Sequence, residues 1–241
     1  MTSESDFDSS TVRALRDDLS LALRAAAHFG LGEGVCNHFS VQLPDDSGRF
    51  LLNPRGLMWT EVRGEDIVLV DSHGQRLAGR HEVEPTAMFI HGAVHLRCRK
   101  ACVMHTHMPY ATALTLTEAR TFDTCLSQGA MRFHGRVVVD DHYNGLALDE
   151  AEGERIASVI GGADIAFLGN HGVVMCGSRI DHAFDDLCCL ERACQAQVLA
   201  ESTGRILSPV SPYLAAQVCA QTLGERRQSE LFFAALRRRL P

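Results

Sequence analysis

Segments with apolar residues at helical spacing alternate with segments at strand spacing along the 241 residues, and this alternation is the strongest constraint on the fold. Residues 11–29, "TVRALRDDLSLALRAAAHF", repeat apolar positions at helical spacing and end at Gly30, a suitable C-terminal cap. The segments "NHFSVQLP" and "RFLLNP" then alternate like two strands joined by a turn. A chain that alternates in this way predicts a mixed α/β domain, in which helices cover a sheet.

The same pattern continues to the C-terminus. "EDIVLVDSHGQRLAG" predicts two strands, Pro85 begins a predicted helix, and "ACVMHTH" follows as a buried strand. "GRVVVDDHY" and "DIAFLGNHGVVMCG" predict two more strands around the acidic helix "LDEAEGERIASVIGG", and a long helix ends near Ser202. A last helix is predicted in "SELFFAALRRRL", whose arginines we expect to be solvated. We expect residues 1–10 to be disordered and residues 11–241 to form one domain.

Charge and cysteine content narrow the class of protein. The net charge of −7 and the pI of about 5.9 give no indication of a nucleic acid or an anionic membrane as partner. No apolar run approaches the roughly 18 residues that a membrane span needs. Nine cysteines follow a polar N-terminus without a secretory apolar segment, which favours a reducing compartment. We therefore expect a soluble, cytoplasmic protein.

Two histidines at the end of the "ACVMHTH" strand are the first candidates for chemistry. His105 and His107 are two positions apart, so both rings point to one face of the strand, in a geometry suited to a divalent cation. An H-x-H pair is also compatible with ordinary hydrogen-bonded histidines. A third ligand favours the metal, and His171 in "GNHG" is the best candidate because it interrupts a strand-like run where the backbone must turn.

Other polar residues near these histidines have less certain roles. His91 and His95 share one helix face, but "HGAVH" lacks the glutamate of the metalloprotease motif, so we expect packing or support of the metal ligands. Glu84, just before the Pro85 helix, is a candidate fourth ligand or acid/base group. Its alternative role is that of a solvated carboxylate stabilised by the helix dipole.

A family resemblance rests on seven segments in this order: "GLGEGVCNHFSVQLP", "LLNPRGLMWTEV", "EPTAMFIHGAVH", "CVMHTHMPYATAL", "LSQGAMRFHGRVVV", "FLGNHGVVMCG" and "AFDDLCCLERACQAQ". Together they resemble the class II aldolase/adducin family. The resemblance implies an α/β/α sandwich around a central, mostly antiparallel β-sheet, and a homotetramer with active sites between neighbouring subunits. It also implies one divalent metal per subunit at His105, His107 and His171, zinc or manganese, with cobalt as an alternative.

The chain departs from the family's sugar-phosphate aldolases at two places. Their S-S-E segment, which holds phosphate and moves the proton, is replaced by "VEPTAM", so that Ala87 stands where the glutamate belongs and Glu84 comes three residues too early. Their second-loop tyrosine is replaced by Ser127 and Gln128. Loss of the phosphate-binding serines favours an unphosphorylated substrate. Arg55 offers a bidentate site for a carboxylate, or else a surface salt bridge.

Three functions remain open at the level of sequence. The favoured one is a metal-dependent decarboxylase of a hydroxylated aromatic or pyridine carboxylate. The resemblance then suggests Glu84 as proton donor, with His38 and Tyr143 as alternatives. Beside Arg55, the expected substrate-binding residues are Asn37, Ser127 and Gln128. The second function is an aldolase, or a related dehydratase or epimerase. The third is an adducin-like interaction module, which would not need all three metal histidines.

Overall fold

The computed structural model describes residues 7–45, 47–119 and 121–240. Within them the helices are α1 (Ser10–His28), α2 (Pro85–Cys98), α3 (Pro109–Thr115), α4 (Gln128–Met131), α5 (Glu150–Ile160), α6 (Ile180–Ser202), α7 (Pro212–Gly224) and α8 (Arg227–Arg239). The strands are β1 (His38–Gln42), β2 (Phe50–Leu52), β3 (Val68–Val70), β4 (Arg76–Ala78), β5 (Cys102–Thr106), β6 (Val137–Asp140), β7 (Ile165–Leu168) and β8 (Gly172–Gly177). None of the helices described is both long enough and apolar enough to cross a bilayer.

The strands form one sheet in the order β4-β3-β2-β1-β5-β8-β7-β6. Every neighbouring pair is antiparallel apart from β6 and β7, which are parallel. That exception follows from the connection: helix α5 links β6 to β7, and parallel neighbours need such a crossover. The predicted mostly antiparallel sheet in an α/β fold is confirmed.

Helices cover both faces of the sheet, because the central strands are apolar on both sides. On β5, Cys102 and Met104 pack in the core that includes α1, α3, α6 and α8, whereas Val103 packs on the opposite face. There it meets Ile90 and Val94 of α2, and α5 lies against α2. The predicted α/β/α sandwich is therefore confirmed.

Some elements differ from the sequence prediction. The segment "DIAFLGNHGVVMCG" forms two antiparallel strands, β7 and β8, since Asn170 turns the chain with a φ of 57°. Helix α7 has no counterpart in the prediction, although Ser211 caps it and Pro212 begins it. Of the predicted disordered stretch, residues 1–6 lie outside the described residues; Phe7 is buried, with Arg16 over its ring.

Candidate metal centre

Three histidines converge where the end of β5 meets the turn between β7 and β8. The register pairs His105 with Val174 and Thr106 with Val173, which brings His171, just before β8, beside the strand end. The three ring centroids are 4.7–5.0 Å apart. One ligand nitrogen from each of His105, His107 and His171 lies within 4.8 Å of the others. We call this group the metal triad.

The outer nitrogens of two triad rings have oxygen partners. The Nδ1 of His105 is 3.0 Å from the Val173 carbonyl oxygen, and the Nδ1 of His107 is 2.6 Å from a carboxylate oxygen of Glu33. Carbonyl and carboxylate oxygens only accept hydrogen bonds, so each ring donates from Nδ1. A neutral ring with its proton on Nδ1 has its lone pair on Nε2, the form that binds a metal.

These two lone pairs face each other. The Nε2 atoms of His105 and His107 are 3.2 Å apart, and neither has a proton to share in the neutral form. Two nitrogens bound about 2.0–2.1 Å from a tetrahedral zinc ion are themselves about 3.3 Å apart. The donor set therefore fits a divalent cation between the rings, which would convert a repulsive contact into coordination.

Burial favours the neutral form of two rings of the triad, those of His105 and His171. Desolvation lowers the pKa of His105 well below its ordinary value, and the neighbouring His171 lowers it further. Desolvation, followed by the proximity of His107, lowers the pKa of His171 to about 4. Neutral imidazole is the metal-binding species, so the pocket favours coordination at neutral pH.

Glu33 and Asn37 support the triad from the loop before β1. The Oδ1 of Asn37 accepts from the backbone N–H of Glu33 at 2.9 Å and from that of His107 at 3.4 Å. Asn37 is 1% exposed, and its Nδ2 has no hydrogen-bond partner among the described residues. The predicted substrate-binding residue Asn37 thus lies at the site with a free donor. Glu33 was not predicted, because 74 residues separate it from His107.

Glu84 does not join the triad. It is the N-cap residue of α2, and its carboxylate is 3.0 Å from the Nε of Arg55. The group of ligand atoms within 4.8 Å of one another contains only the three histidines among the described residues. Ala87, at the position of the aldolase glutamate, is buried in an apolar cluster with Phe50. Glu84 and Arg55, which were predicted separately as site residues, form an ion pair with each other, and the Arg55 side chain is 50% exposed.

The other predicted residues divide into two groups. Tyr143 is half exposed, with its ring centroid 6.1 Å from that of His171. His38 lies opposite His105 in the strand register, with ring centroids 4.9 Å apart. Ser127 instead caps α4, and Gln128 is the first residue of α4. Ser127 also lines a cavity of about 460 Å³ beside α6. Within one chain, the structure does not bring Ser127 and Gln128 to the triad.

Comparisons with known proteins agree with this architecture. The family described as Class II Aldolase and Adducin N-terminal domain matches residues 17–198. The crystal structure of an aldolase II superfamily protein from Pseudomonas syringae superposes with a TM-score of 0.88 and 30% identity, covering 99% of this chain and 96% of that one. L-fuculose 1-phosphate aldolase from Glaciozyma antarctica gives a TM-score of 0.81 at 26% identity, with 93% and 88% covered. The decarboxylase NovR of Streptomyces niveus is 29% identical over 225 residues, which are 91% of this chain and 83% of that protein.

Proposed function

The chain belongs to the class II aldolase and adducin family, and from this we propose that it is a divalent-metal-dependent carbon–carbon lyase. The observation that carries the proposal is the pair of Nε2 lone pairs, 3.2 Å apart, in a triad whose outer nitrogens are held by Val173 and Glu33. An interaction module has no use for such a site. We propose zinc or manganese as the ion, with cobalt as a substitute.

The residues of the metal triad and those that contact them have different proposed roles. A divalent ion held by His105, His107 and His171 would act as a Lewis acid and stabilise the electron pair left on the substrate when a carbon–carbon bond breaks. Glu33 and the Val173 carbonyl orient the ligand rings. The Nδ2 of Asn37, which has no hydrogen-bond partner among the described residues, would be free to donate to a substrate oxygen.

Arg55 and Glu84 favour decarboxylation of a hydroxylated aromatic or pyridine carboxylate. A substrate carboxylate would compete with Glu84 for the guanidinium of Arg55, which holds carboxylates in a bidentate fork. Glu84, displaced from the ion pair, would then take up a proton from solvent and deliver it to the vacated carbon. Tyr143, beside His171, is the alternative donor. The match to a decarboxylase over 91% of the chain supports this assignment.

An aldolase is the second candidate, since a fuculose-phosphate aldolase shares the fold at 26% identity. The start of α2 argues against a phosphorylated substrate. Pro85 and Thr86 begin that helix, at the positions where the resemblance places the two phosphate-binding serines of those aldolases. An unphosphorylated hydroxy-carbonyl substrate, or a related dehydratase or epimerase reaction, remains compatible with the metal triad.

The experiment is carbon dioxide release by zinc-loaded and manganese-loaded protein, assayed with a panel of hydroxylated aromatic and pyridine carboxylates. Chelator-treated protein and the variant His107→Ala are the controls. We expect carbon dioxide release from at least one compound of the panel, and we expect both controls to abolish that release. No release from protein with about one ion per chain, together with cleavage of a hydroxy-keto acid into two carbonyl fragments, would replace the decarboxylase by the aldolase.

We also propose a cytoplasmic homotetramer with active sites between subunits. Large apolar side chains remain exposed on the single chain, among them Ile206 at 101% and Tyr213 at 82%. Ser127 lines the cavity beside α6 and Gln128 begins α4, and we propose that they reach the active site of a neighbouring subunit. Native mass spectrometry tests the proposal: four chains are expected, and a monomer at micromolar concentration would contradict it.

A further inference from the structure

A buried chain of hydrogen bonds lies behind the metal triad, between β1, α2 and the start of β5. The Nδ1 of His38 is 2.8 Å from the Nε2 of His91, whose Nδ1 is 2.5 Å from the Oγ of Ser40. That oxygen is 2.7 Å from the Nε2 of His95. The Nδ1 of His95 is 2.6 Å from the carbonyl oxygen of Lys100, where the series ends. We call these residues the buried chain.

The backbone carbonyl at its end gives the buried chain a direction. The Lys100 oxygen only accepts, so His95 donates from Nδ1 and, when neutral, accepts at Nε2. Ser40 has one proton and must give it to that Nε2. Its oxygen therefore accepts from the Nδ1 of His91, whose Nε2 is left as an acceptor.

The last link reaches the metal site. Since the Nε2 of His91 accepts, the Nδ1 of His38 donates to it. His38 and His91 are 2% and 0% exposed, and their hydrogen-bond partners are each other and the Ser40 hydroxyl, with no carboxylate to balance a charge. Desolvation lowers the pKa of His95, at the far end, to about 4. Each ring is therefore neutral and carries one proton. For His38 that proton is on Nδ1, and Nε2 keeps its lone pair.

We propose that Ser40, His91 and His95 are positioning residues that hold His38 with its proton on Nδ1. His38 then presents Nε2 as a hydrogen-bond acceptor at the edge of the metal site. It pairs directly with His105 across β1 and β5, and the two rings are 4.9 Å apart and 31° from parallel. Nδ1 is turned to His91 on α2, so the acceptor is the nitrogen on the other side of the ring.

The chemical group that this acceptor suits is a hydroxyl, from the substrate or from a water molecule, next to the triad. This occupant rests on the proposed function, whereas the proton position in His38 does not. A neutral His38 of this form accepts a proton or a hydrogen bond at Nε2 and has none to give there. The inference therefore changes the role of His38 from the donor suggested by sequence to an acceptor.

The first test is the nitrogen spectrum of the wild-type protein labelled with ¹⁵N-histidine, recorded at neutral pH with and without zinc. Long-range proton–nitrogen correlations distinguish a ring protonated on Nδ1 from one protonated on Nε2. We expect His38, His91 and His95 to be protonated on Nδ1 alone in both samples. A proton on the Nε2 of His38 or of His91 would overturn the proposal, and this result needs no variant and no substrate.

The second test removes the central hydroxyl. Ser40→Ala deprives His91 of its acceptor and His95 of its donor, so a second set of His38 signals with the proton on Nε2 is expected. Ser40→Thr keeps a hydroxyl and is the matched control, which should retain the single Nδ1 form. Unchanged His38 signals in folded Ser40→Ala protein would overturn the positioning role. Should Ser40→Ala not fold, the wild-type spectrum still decides.

Failure of the proposed lyase function and failure of the positioning role give different experimental results. Absence of lyase activity in zinc-loaded wild-type protein, with His38 protonated on Nδ1, would contradict the proposed function and leave the positioning role intact. The reverse outcome, carbon dioxide release by protein in which His38 carries its proton on Nε2, would contradict the positioning role alone.

Discussion

The metal triad and the buried chain each contain three histidines, yet their hydrogen bonding is opposite. In the buried chain, every nitrogen from the Nδ1 of His38 to the Nδ1 of His95 faces a complementary partner. In the metal triad, the Nε2 atoms of His105 and His107 face each other. Apart from the Nε2 of His38, the nitrogens of the buried chain have partners within the protein, whereas the metal triad leaves two lone pairs that we propose a cation satisfies.

The contrast shows how the role of a buried histidine is decided. Burial does not separate the groups, since His91 and His105 are 0% and 2% exposed and both have a strongly lowered pKa. The partner of the outer nitrogen does not separate them either, because both groups end on a backbone carbonyl. The nitrogen that faces the other rings of its group does separate them: in the buried chain it meets a complementary hydrogen-bond partner, and in the metal triad two lone pairs converge. Variants should therefore divide cleanly between loss of metal and loss of stability.

The largest expected effect is on metal binding. His107→Ala removes one of the three nitrogens, and we expect bound zinc to fall from about one ion per chain to none measurable after dialysis, because three protein ligands are the usual minimum of a catalytic zinc site. Elemental analysis measures it. His73→Ala, at an exposed turn, is the matched control and should keep its zinc. Full zinc content in His107→Ala would remove this residue from the site.

The buried chain should give the opposite result. Ser40→Ala leaves a buried donor and a buried acceptor unsatisfied, so we expect the free energy of unfolding of the metal-free protein to fall by about 1–3 kcal/mol. Denaturant titration measures this change, and zinc content should stay near one ion per chain. Ser158→Ala, exposed on α5, is the control and should change stability by less than about 0.5 kcal/mol. Loss of zinc in folded Ser40→Ala protein would break the contrast between the two groups.

Glu33 connects the metal triad to the loop before β1, and its effect should be intermediate. Glu33→Gln replaces the charged partner of His107, so we expect zinc affinity to fall about 10–100-fold, as for other carboxylate–histidine–metal contacts. Competition with a chelator of known affinity measures the change. Glu225→Gln, an exposed carboxylate after α7, is the control. Equal affinities for the two variants would mean that the carboxylate does not hold the ring.

Arg55 should have the smallest effect, and only on substrate. Its side chain is half exposed and paired with Glu84, so Arg55→Ala should cost less than about 1 kcal/mol in stability. On a carboxylate substrate we expect KM to rise about tenfold with kcat less affected, because the charge-assisted contact of the half-exposed guanidinium with the substrate is lost. Arg55→Lys keeps the positive charge but not the bidentate geometry, so its KM should lie between those of the wild type and Arg55→Ala. An unchanged KM in Arg55→Ala would remove the carboxylate site.

The sequence was sufficient where periodicity carries the information. Spacing of two on a strand places His105 and His107 on one face, and a histidine at a turn marked His171. Helical and strand periods predicted the α/β class. Helix α7 was missed because its Ser-Pro start precedes a segment without a clear apolar face, with few buried residues.

Contacts between residues far apart in the sequence could not be predicted. Glu33 meets His107 across 74 residues, and Ser40 meets His95 across 55, with no local pattern to indicate either contact. Glu84 was correctly placed at the start of α2 but meets Arg55 instead of the triad, because the direction of its side chain depends on the residues that pack beside it. The direction of hydrogen bonds in the buried chain required the Lys100 carbonyl, which only the fold reveals.

X-ray absorption at the zinc edge, on protein loaded with one equivalent of zinc, tests the central claim most directly. Three imidazole nitrogens at about 2.0–2.1 Å, with the outer-shell scattering of three histidine rings, are the predicted result. The nine cysteines are the competing ligands in this chain. Sulfur scattering at about 2.3 Å, or fewer than three imidazoles, would contradict the assignment of the metal to His105, His107 and His171.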